Sequence, residues 1–271
     1  MKVAFTKMNG AGNDFVIVDN RSLKYQLTTK NIELICDRHR GVGGDGLLAV
    51  EPAQKGADFR FRYFNADGGE AEMCGNGARC FARFASRLEE KKSDVMTFET
   101  IVGNLQAECH GDEVLIKMSM PRGFQANCPV GISQLPAPVT HLDTGVPHAV
   151  LFVDNVDQAN VTGWGSAIRH AACFAPKGVN ANFVQITGPS KLKVRTFERG
   201  VEGETLACGT GITAAALVHH LQTGDSSPIR VETRGGDLIE IAFTKADPTS
   251  FASVTMKGPA DFVFEGHITL A

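Results

Sequence analysis

The sequence has no long hydrophobic run, no large excess of one charge and no residue spacing typical of a metal site. Its longest mostly apolar stretch, residues 212–218, is far shorter than the roughly 18 residues that a membrane-spanning helix needs. The first ten residues lack the apolar core of an export signal. Lys and Arg number 27 against 30 Asp and Glu, so a broad surface for nucleic acid or anionic lipid is not expected. We therefore expect a cytoplasmic protein that binds neither nucleic acid nor membrane.

The chain contains seven cysteines, an odd number, with no CxxC pair among them. No two histidines are separated by three to five residues either. A disulfide framework and a structural zinc site are therefore not expected. Thiols in such a chain are by default small buried packing groups. We predict that role for Cys36, Cys80, Cys109, Cys128 and Cys173.

The remaining two cysteines lie in an internal repeat. The pattern G-E-x-x-x-C-G-[NT]-G occurs around Cys74 and again around Cys208, 134 residues later. Residues 59–65 and 193–199, which precede the two cysteines, show similar alternating patterns at the same spacing. Agreement at one offset indicates duplication of a unit of roughly 120–130 residues.

Both copies predict the same local structure. Alternation of apolar and charged residues before each cysteine predicts a half-buried strand, and a helical pattern follows each C-G-x-G. The second of these helices is apolar on nearly all sides, as in a buried helix, and stops at Gly224. We predict an α+β fold of two pseudo-symmetric domains, each a curved, mostly antiparallel sheet around a central buried helix. The predicted domains are 1–118 with a C-terminal strand at about 262–271, and 119–261.

Each repeated cysteine is placed where a glycine-rich turn enters a helix. The free N–H groups and positive dipole end of a helix N-terminus favour a thiolate and bind a carboxylate. A helix terminus lowers a thiol pKa by less than about one unit, so a substrate cation or a neighbouring group must add the rest. If the two domains meet across a cleft, the two thiols lie on opposite faces of one substrate Cα. That arrangement predicts proton removal by a thiolate and proton delivery by a thiol, without metal or pyridoxal cofactor.

The chain resembles the diaminopimelate epimerase family over essentially its whole length. The motifs that carry the resemblance are KMNGAGNDF (7–15), YFNADG (63–68), MCGNGAR (73–79), GxPH (145–148), GVNANFV (178–184), ERG (198–200) and ACGTG (207–211). The resemblance implies cofactor-independent interconversion of LL- and meso-diaminopimelate, a step toward lysine and peptidoglycan. It also implies a homodimer and an active site in the cleft between the two domains.

Carried over by motif position, Cys74 and Cys208 are the base and acid pair, and His148 and Glu198 tune the thiol pKa values. The residues that would hold the reacting carboxylate and ammonium are Gly75, Asn76, Gly209 and Thr210. Those that would hold the distal end of the substrate are Asn13, Gly46, Asn65, Asn180, Glu198 and Arg199.

Three positions depart from the family pattern. Val146 stands where the family often has Asn in GxPH, and Gly46 stands where many members carry a Gln that contacts substrate. Both changes fall on recognition of the distal end, so they bear on substrate strictness and not on the thiols. Phe264 replaces a Tyr that some relatives show near the dimer contact.

Other functions stay open at this point. A proline, hydroxyproline or other amino acid racemase would use the same thiol pair, although proline racemase-like chains typically show C-G-H-G at the first cysteine. An acyl-transfer enzyme with His148 activating Cys74 explains one thiol and leaves the repeat unexplained. A binding module that only retains the fold has no need for both cysteines. The stretch 41–46 matches GxGxxG, but a helix precedes it and a strand follows, so we interpret it as a turn.

Overall fold

The structure is a computed structural model that describes residues 1–71, 74–88, 95–101, 103–133, 135–247 and 250–270. The chain divides into two compact units. The first unit contains Met1–Ile116 and Gly258–Ala271, and the second contains Lys117–Lys257. Within the described ranges, no helix is long and apolar enough to cross a membrane.

Strands dominate the described residues. The strands of the first part of the chain are β1 (Lys2–Gly10), β2 (Asn13–Asp19), β3 (Gly46–Pro52), β4 (Phe59–Asn65), β5 (Val95–Thr100), β6 (Gly103–His110) and β7 (Glu113–Lys117). Those that follow are β8 (Arg122–Gln125), β9 (Val139–Asp143), β10 (Pro147–Phe152), β11 (Asn180–Gly188), β12 (Lys191–Glu198), β13 (Gly203–Thr205), β14 (Ile229–Glu232), β15 (Leu238–Lys245), β16 (Phe251–Pro259) and β17 (Asp261–Thr269).

In the first unit, the sheet runs β17–β1–β2–β3–β4–β5–β6–β7. The pairs β17–β1 and β1–β2 are antiparallel, β2–β3 is parallel and β3–β4 is antiparallel. The pair β4–β5 is again parallel, and β5–β6 and β6–β7 are antiparallel. The two parallel pairs are the places where a helix connects consecutive strands, since parallel neighbours need a crossover.

The second unit repeats this order and these directions. Its sheet runs β8–β9–β10–β11–β12–β14–β15–β16, with parallel pairs at β10–β11 and β12–β14 and antiparallel pairs elsewhere. The short β13 pairs with the end of β12. The predicted α+β fold of two similar, mostly antiparallel units is confirmed.

Four α-helices occupy the crossovers of the described chain. They are α1 (Thr29–Cys36), α2 (Gly75–Leu88), α3 (Val161–Arg169) and α4 (Gly209–Thr223). The central helix of the first unit, α2, packs against β1 to β4 and β6, and α4 packs against the corresponding strands of the second unit. Gly224 ends α4 in the left-handed conformation, φ 79°, which glycine adopts without strain. The helices predicted after each C-G-x-G are therefore present, and each is enclosed by its own sheet.

The other two helices pack against the outer face of each sheet. Apolar residues of α1 join β1 to β3 in one buried cluster, and those of α3 join β9 to β12 in another. Helix α1 is the helix expected before the turn at 41–46. All four residues of β8 are exposed, so no alternation of buried and exposed residues marks that strand in the sequence.

The predicted packing role of the cysteines is correct for most of them and wrong for one. Cys36, Cys80 and Cys128 are buried and Cys109 is partly buried, but Cys173 is exposed. Cys173 lies in a short 3-10 turn between α3 and β11, where Phe174 packs toward the core instead. Burial raises the pKa of the Cys36 and Cys80 thiols to about 12, as expected for inert packing groups.

Equivalent glycines bring the two central helices close to their sheets. A Cβ at Gly77 in α2 would lie 3.4 Å from Leu48 Cδ2 and from Phe15 Cζ. A Cβ at Gly211 in α4 would lie 2.2 Å from Asn182 Oδ1, which is inside contact distance. The same glycine of the repeat therefore has room for a methyl group in the first unit and none in the second.

This difference predicts opposite effects of one substitution. Gly77→Ala should leave the free energy of unfolding unchanged or raise it by up to about 1 kcal/mol, because alanine favours a helix. Gly211→Ala should lower it by roughly 1–3 kcal/mol, because the methyl group must displace the Asn182 amide. Urea unfolding of both variants measures the difference, and equal effects at the two positions would contradict the assigned packing.

Candidate functional site

The first predicted catalytic residue, Cys74, stands directly before α2. Its carbonyl accepts the first helical hydrogen bond, from Ala78 N–H at 2.8 Å. The N–H of Gly77 points at Cys74 Sγ, 3.5 Å away. The sulfur therefore lies at the N-terminus of the helix, where a backbone donor and the helix dipole both favour a thiolate.

A second contact of Cys74 favours the protonated form. Its Sγ lies 3.5 Å from Asn13 Oδ1, which accepts a hydrogen bond from the thiol. The Asn13 amide is held by Asp45, since Nδ2 donates to that carboxylate. A carboxylate only accepts, so the amide nitrogen must face Asp45 and the amide oxygen is left for the thiol. Cys74 thus has a suitable partner both as a thiol and as a thiolate.

The other predicted residues of the first unit lie at the same end of the sheet. Gly75 and Asn76 form the first turn of α2. Gly46, which begins β3, is directly opposite Asn65, which ends β4. Asn13 begins β2, the parallel neighbour of β3. One end of this sheet therefore carries three of the residues predicted for the distal end of the substrate, which are Asn13, Gly46 and Asn65.

Packing against β4 also explains why position 46 is a glycine. A Cβ at this position would lie 2.5 Å from the carbonyl oxygen of Phe64 and 2.8 Å from Tyr63 Cε2. The Tyr63 ring and the β4 backbone therefore occupy the space into which a longer side chain would extend.

The second predicted catalytic residue, Cys208, is the N-cap residue of α4. Its carbonyl accepts from Ile212 N–H at 2.9 Å, as Cys74 does in the first unit. Sγ lies 3.7 Å from Thr210 Oγ1, and either atom can be the donor. A hydroxyl both donates and accepts, so this thiol also has a partner in either protonation state. The carbonyl of Thr210 is held in turn by the hydroxyl of Thr144 at 2.8 Å.

His148, predicted to tune a thiol, is completely buried on β10. Desolvation, with smaller contributions from the charges of His141 and Arg199, lowers the pKa of His148 to about 3. The imidazole is therefore neutral at neutral pH. If it tunes a thiol, it does so as a neutral hydrogen-bonding group and not through a positive charge.

The residues of the second unit that are predicted to hold the distal end of the substrate lie beside His148. Asn180 is opposite His148 in the β10–β11 register. Asn180 Oδ1 accepts from the backbone N–H of Arg199 at 2.7 Å, which fixes the start of the turn after β12. Glu198 ends β12, and its Oε2 accepts from Thr205 Oγ1 at 2.9 Å. The second unit thus groups His148, Asn180, Glu198 and Arg199 at one end of its sheet.

Val146 lies in the turn just before β10. Its carbonyl accepts from Thr144 N–H at 3.2 Å, so the backbone of the turn is held without a polar side chain at this position. The valine side chain itself offers no hydrogen bond.

Two residues that sequence analysis left without a role belong to these arrangements. Arg79 is fully buried in α2, and its Nη2 donates to Asn76 Oδ1 at 3.1 Å. Asn182, buried on β11, contacts Nδ1 of His148 at 3.2 Å. Both stand inside quoted motifs, and a polar residue at an apolar position of a strand or helix is the signal that could have identified them.

The buried neutral state of His148 predicts a pH dependence of stability. Below pH 6.5, the ordinary histidine pKa, the unfolded chain binds a proton that the folded protein does not. Stability from this group is therefore lost as the pH falls from about 6.5 toward 3, by about 2 kcal/mol at pH 5. His148→Gln should flatten that part of the profile in urea unfolding between about pH 7.5 and 5. His39→Gln, which replaces an exposed histidine, should follow the parent, and a His148→Gln profile that is parallel to the parent would contradict the assignment.

Comparison with known proteins places the whole chain in one family. The sequence profile of diaminopimelate epimerase matches residues 5–122 and 140–263. The diaminopimelate epimerase of Chlorobaculum tepidum is 41% identical over 266 residues, which cover 97% of this chain and 100% of that protein. The diaminopimelate epimerase of Aquifex aeolicus is 39% identical over 277 residues, with 98% and 97% covered. That of Azoarcus sp. strain BH72 is 42% identical over 285 residues, and both chains are covered completely.

Solved structures with other names share the fold at low identity. A phenazine biosynthesis protein of the PhzF family from Bacillus anthracis has a TM-score of 0.75 at 17% identity, with 100% of both chains covered. A probable proline racemase from Agrobacterium radiobacter K84 has a TM-score of 0.71 at 16% identity, with 99% of this chain and 93% of that chain covered. These neighbours show the fold, whereas the profile and the relatives at about 40% identity show the family. This chain belongs to the diaminopimelate epimerase family.

Proposed function

We propose that this protein interconverts LL- and meso-diaminopimelate by proton transfer at one Cα, with Cys74 and Cys208 as the two acid–base groups. The observation that carries the proposal is the duplicated helix start. Each cysteine accepts the first hydrogen bond of a central helix through its carbonyl, and each sulfur has partners suited to both thiol and thiolate. The family and the relatives' names supply the substrate.

The proposed reaction uses the two thiols in opposite states. One cysteine, as thiolate, takes the α-proton and becomes a thiol. The electron pair left on Cα is delocalised into the substrate carboxylate. The other cysteine, as thiol, delivers its proton to the opposite face of Cα and becomes a thiolate. The configuration is inverted, no proton is lost overall, and the reverse reaction starts from the exchanged protonation states.

Stabilisation of the carbanion falls to the helix N-termini. Backbone N–H groups of Gly75, Asn76, Gly209 and Thr210 would hold the reacting carboxylate, where negative charge increases in the transition state. Such donors are preorganised by the helix and need little rearrangement during the reaction. The Asn76 amide oxygen accepts from Arg79 Nη2, which holds the Asn76 side chain at the start of the helix.

Recognition of the distal amino acid end uses the remaining predicted residues. Arg199 would hold the distal carboxylate, since a guanidinium binds a carboxylate through two parallel hydrogen bonds. The side-chain oxygens of the other polar residues would accept from the distal ammonium and orient it. They are Asn13, Asn65, Asn180 and Glu198. Gly46 would contribute backbone only, with the Tyr63 ring beside it.

The thiols need further tuning, because a helix N-terminus lowers the pKa of a thiol by less than about one unit. His148 and Glu198 are the proposed tuning groups, His148 as a neutral donor. The predicted domain bounds, and the cleft between the domains as the active site, stay predictions. We propose further that the protein works in the cytoplasm as a homodimer and requires no cofactor.

The two-thiol mechanism predicts a specific pattern of isotope exchange. LL-Diaminopimelate incubated with the protein in heavy water should gain deuterium at one Cα and form the meso isomer without added cofactor. Cys74→Ser and Cys208→Ser should each lower the rate of epimerisation by about 10²-fold or more, because each removes one acid–base group. Mass spectrometry and chiral chromatography measure both quantities.

The exposed Cys173 supplies the control. Cys173→Ser should retain the parent rate, since that residue lies in a surface turn. Parent-like turnover in either Cys74→Ser or Cys208→Ser would refute the mechanism. Exchange at the Cα of proline but not of diaminopimelate would instead favour the related racemase activity.

A further inference from the structure

The two nitrogens of the buried His148 ring have different surroundings. Nδ1 faces the Asn182 amide nitrogen at 3.2 Å, but Nε2 has no hydrogen-bond partner within the part of the chain that the structure describes. The ring is completely buried, and buried ring nitrogens are normally hydrogen-bonded. Nε2 is therefore the ring atom that an acceptor from outside the described residues, a water or a bound molecule, would satisfy.

The neighbours of Asn182 determine which nitrogen of His148 carries the proton. The amide nitrogen of Asn182 lies 3.0 Å from the carbonyl oxygen of Ala149, and the amide oxygen lies 2.9 Å from Thr196 Oγ1. A carbonyl oxygen only accepts, so the amide atom that faces Ala149 must be the nitrogen. The same nitrogen faces His148 Nδ1 and donates to it. A neutral imidazole that accepts at Nδ1 has its proton at Nε2.

We propose that Asn182 is a positioning residue that holds His148 in the tautomer with the proton at Nε2, so that His148 donates to an anionic acceptor of the occupied active site. The presence of this acceptor depends on the proposed function, in which substrate binding and thiolate formation bring negative charge to this end of the second unit. The tautomer itself rests only on the contacts of Asn182. Two groups act electrostatically on the ring, His141 on β9 and Arg199 after β12. Any charge on either group is positive, so both oppose protonation of His148.

The first unit shows that this arrangement is particular to the second. Phe15 and Gly46 are partners in the β2–β3 register, as His148 and Asn180 are in the β10–β11 register, so Phe15 corresponds to His148. Leu48 lies two residues after Gly46, as Asn182 lies two residues after Asn180. An apolar pair under α2 is thus replaced by a polar pair under α4. The missing side chain of Gly211 is what leaves room for the Asn182 amide.

Nitrogen-resolved NMR of the full-length protein labelled at histidine tests the tautomer directly. In the parent at neutral pH, the proton of His148 should reside on Nε2. Asn182→Asp replaces the donor that faces Nδ1 with an acceptor, so the proton should move to Nδ1 and the ring should titrate at higher pH. Asn182→Leu, which introduces the residue of the first unit, should leave a mixture of the two tautomers.

Kinetics then test the positioning role. Asn182→Asp and Asn182→Leu should each lower kcat for diaminopimelate by at least tenfold with a smaller change in KM. Asn182→Asp should also add a new limb to the pH profile of kcat/KM, which a merely structural defect would not produce. Asn160→Leu is the matched control, because Asn160 caps α3 in the same unit without contacting His148. It should lower thermal stability and leave the tautomer and the pH profile unchanged.

Three results would overturn the inference: a proton on Nδ1 in the parent, an unchanged tautomer in Asn182→Asp, or a parent-like pH profile in that variant. The NMR spectrum of the parent protein tests the tautomer of His148 even if a variant fails to fold. Deuterium exchange by the parent enzyme reports separately on the proposed function. A parent protein that shows the Nε2 tautomer but exchanges no substrate proton would refute the function and leave the tautomer in place.

Discussion

The start of each central helix is the constraint on which the site depends. A helix enclosed by a curved sheet begins with N–H groups that no residue of the helix can satisfy, and here a cysteine immediately precedes them in both units. Each cysteine carbonyl accepts the first helical bond, which fixes the backbone of the thiol-bearing residue. The sulfur and the first N–H groups of the helix are therefore positioned by the same hydrogen-bond pattern.

The two copies have kept the backbone and diverged in the groups around it. Strand order and direction are the same in both units, including the two parallel pairs at which the helices cross over. Beneath α2 the contacts are apolar, from Phe15 and Leu48, whereas beneath α4 the Asn182 amide lies against the helix. Arg79 places a buried positive charge in α2, and the position 134 residues later in α4 is Thr213, whose hydroxyl returns to the helix backbone at Gly209. The two thiols thus belong to similar frames with different electrostatic surroundings.

Much of this fold could be predicted from sequence, because the strongest signals were periodic and repeated. Alternation located strands such as β4 and β12, and the all-apolar pattern before Gly224 located α4. Strand β8 escaped prediction because its residues are exposed on both faces and only its pairing with β9 makes it a strand. The sequence did not predict the roles of Asn182 and Arg79 for a related reason. Their partners are the His148 ring and the Asn76 amide, and only the tertiary structure reveals whether a buried polar side chain meets an acceptor or a donor.

The proposed reaction explains why duplication followed by divergence suits this site. Inversion by two groups on opposite faces of a carbon needs each group to work as a base in one direction of the reaction and as an acid in the other. Duplication of one unit supplies two helix starts with two cysteines.

At any moment, however, the two groups must differ by one proton, and identical surroundings would give both thiols the same pKa. Differences such as Phe15 against His148, and Leu48 against Asn182, make the two surroundings unequal while the backbone frames stay alike. A neutral His148 fits this requirement better than a cation would, because a fixed positive charge would hold one thiol permanently ionised. A neutral donor instead lets the protonation state of that thiol alternate with each turnover.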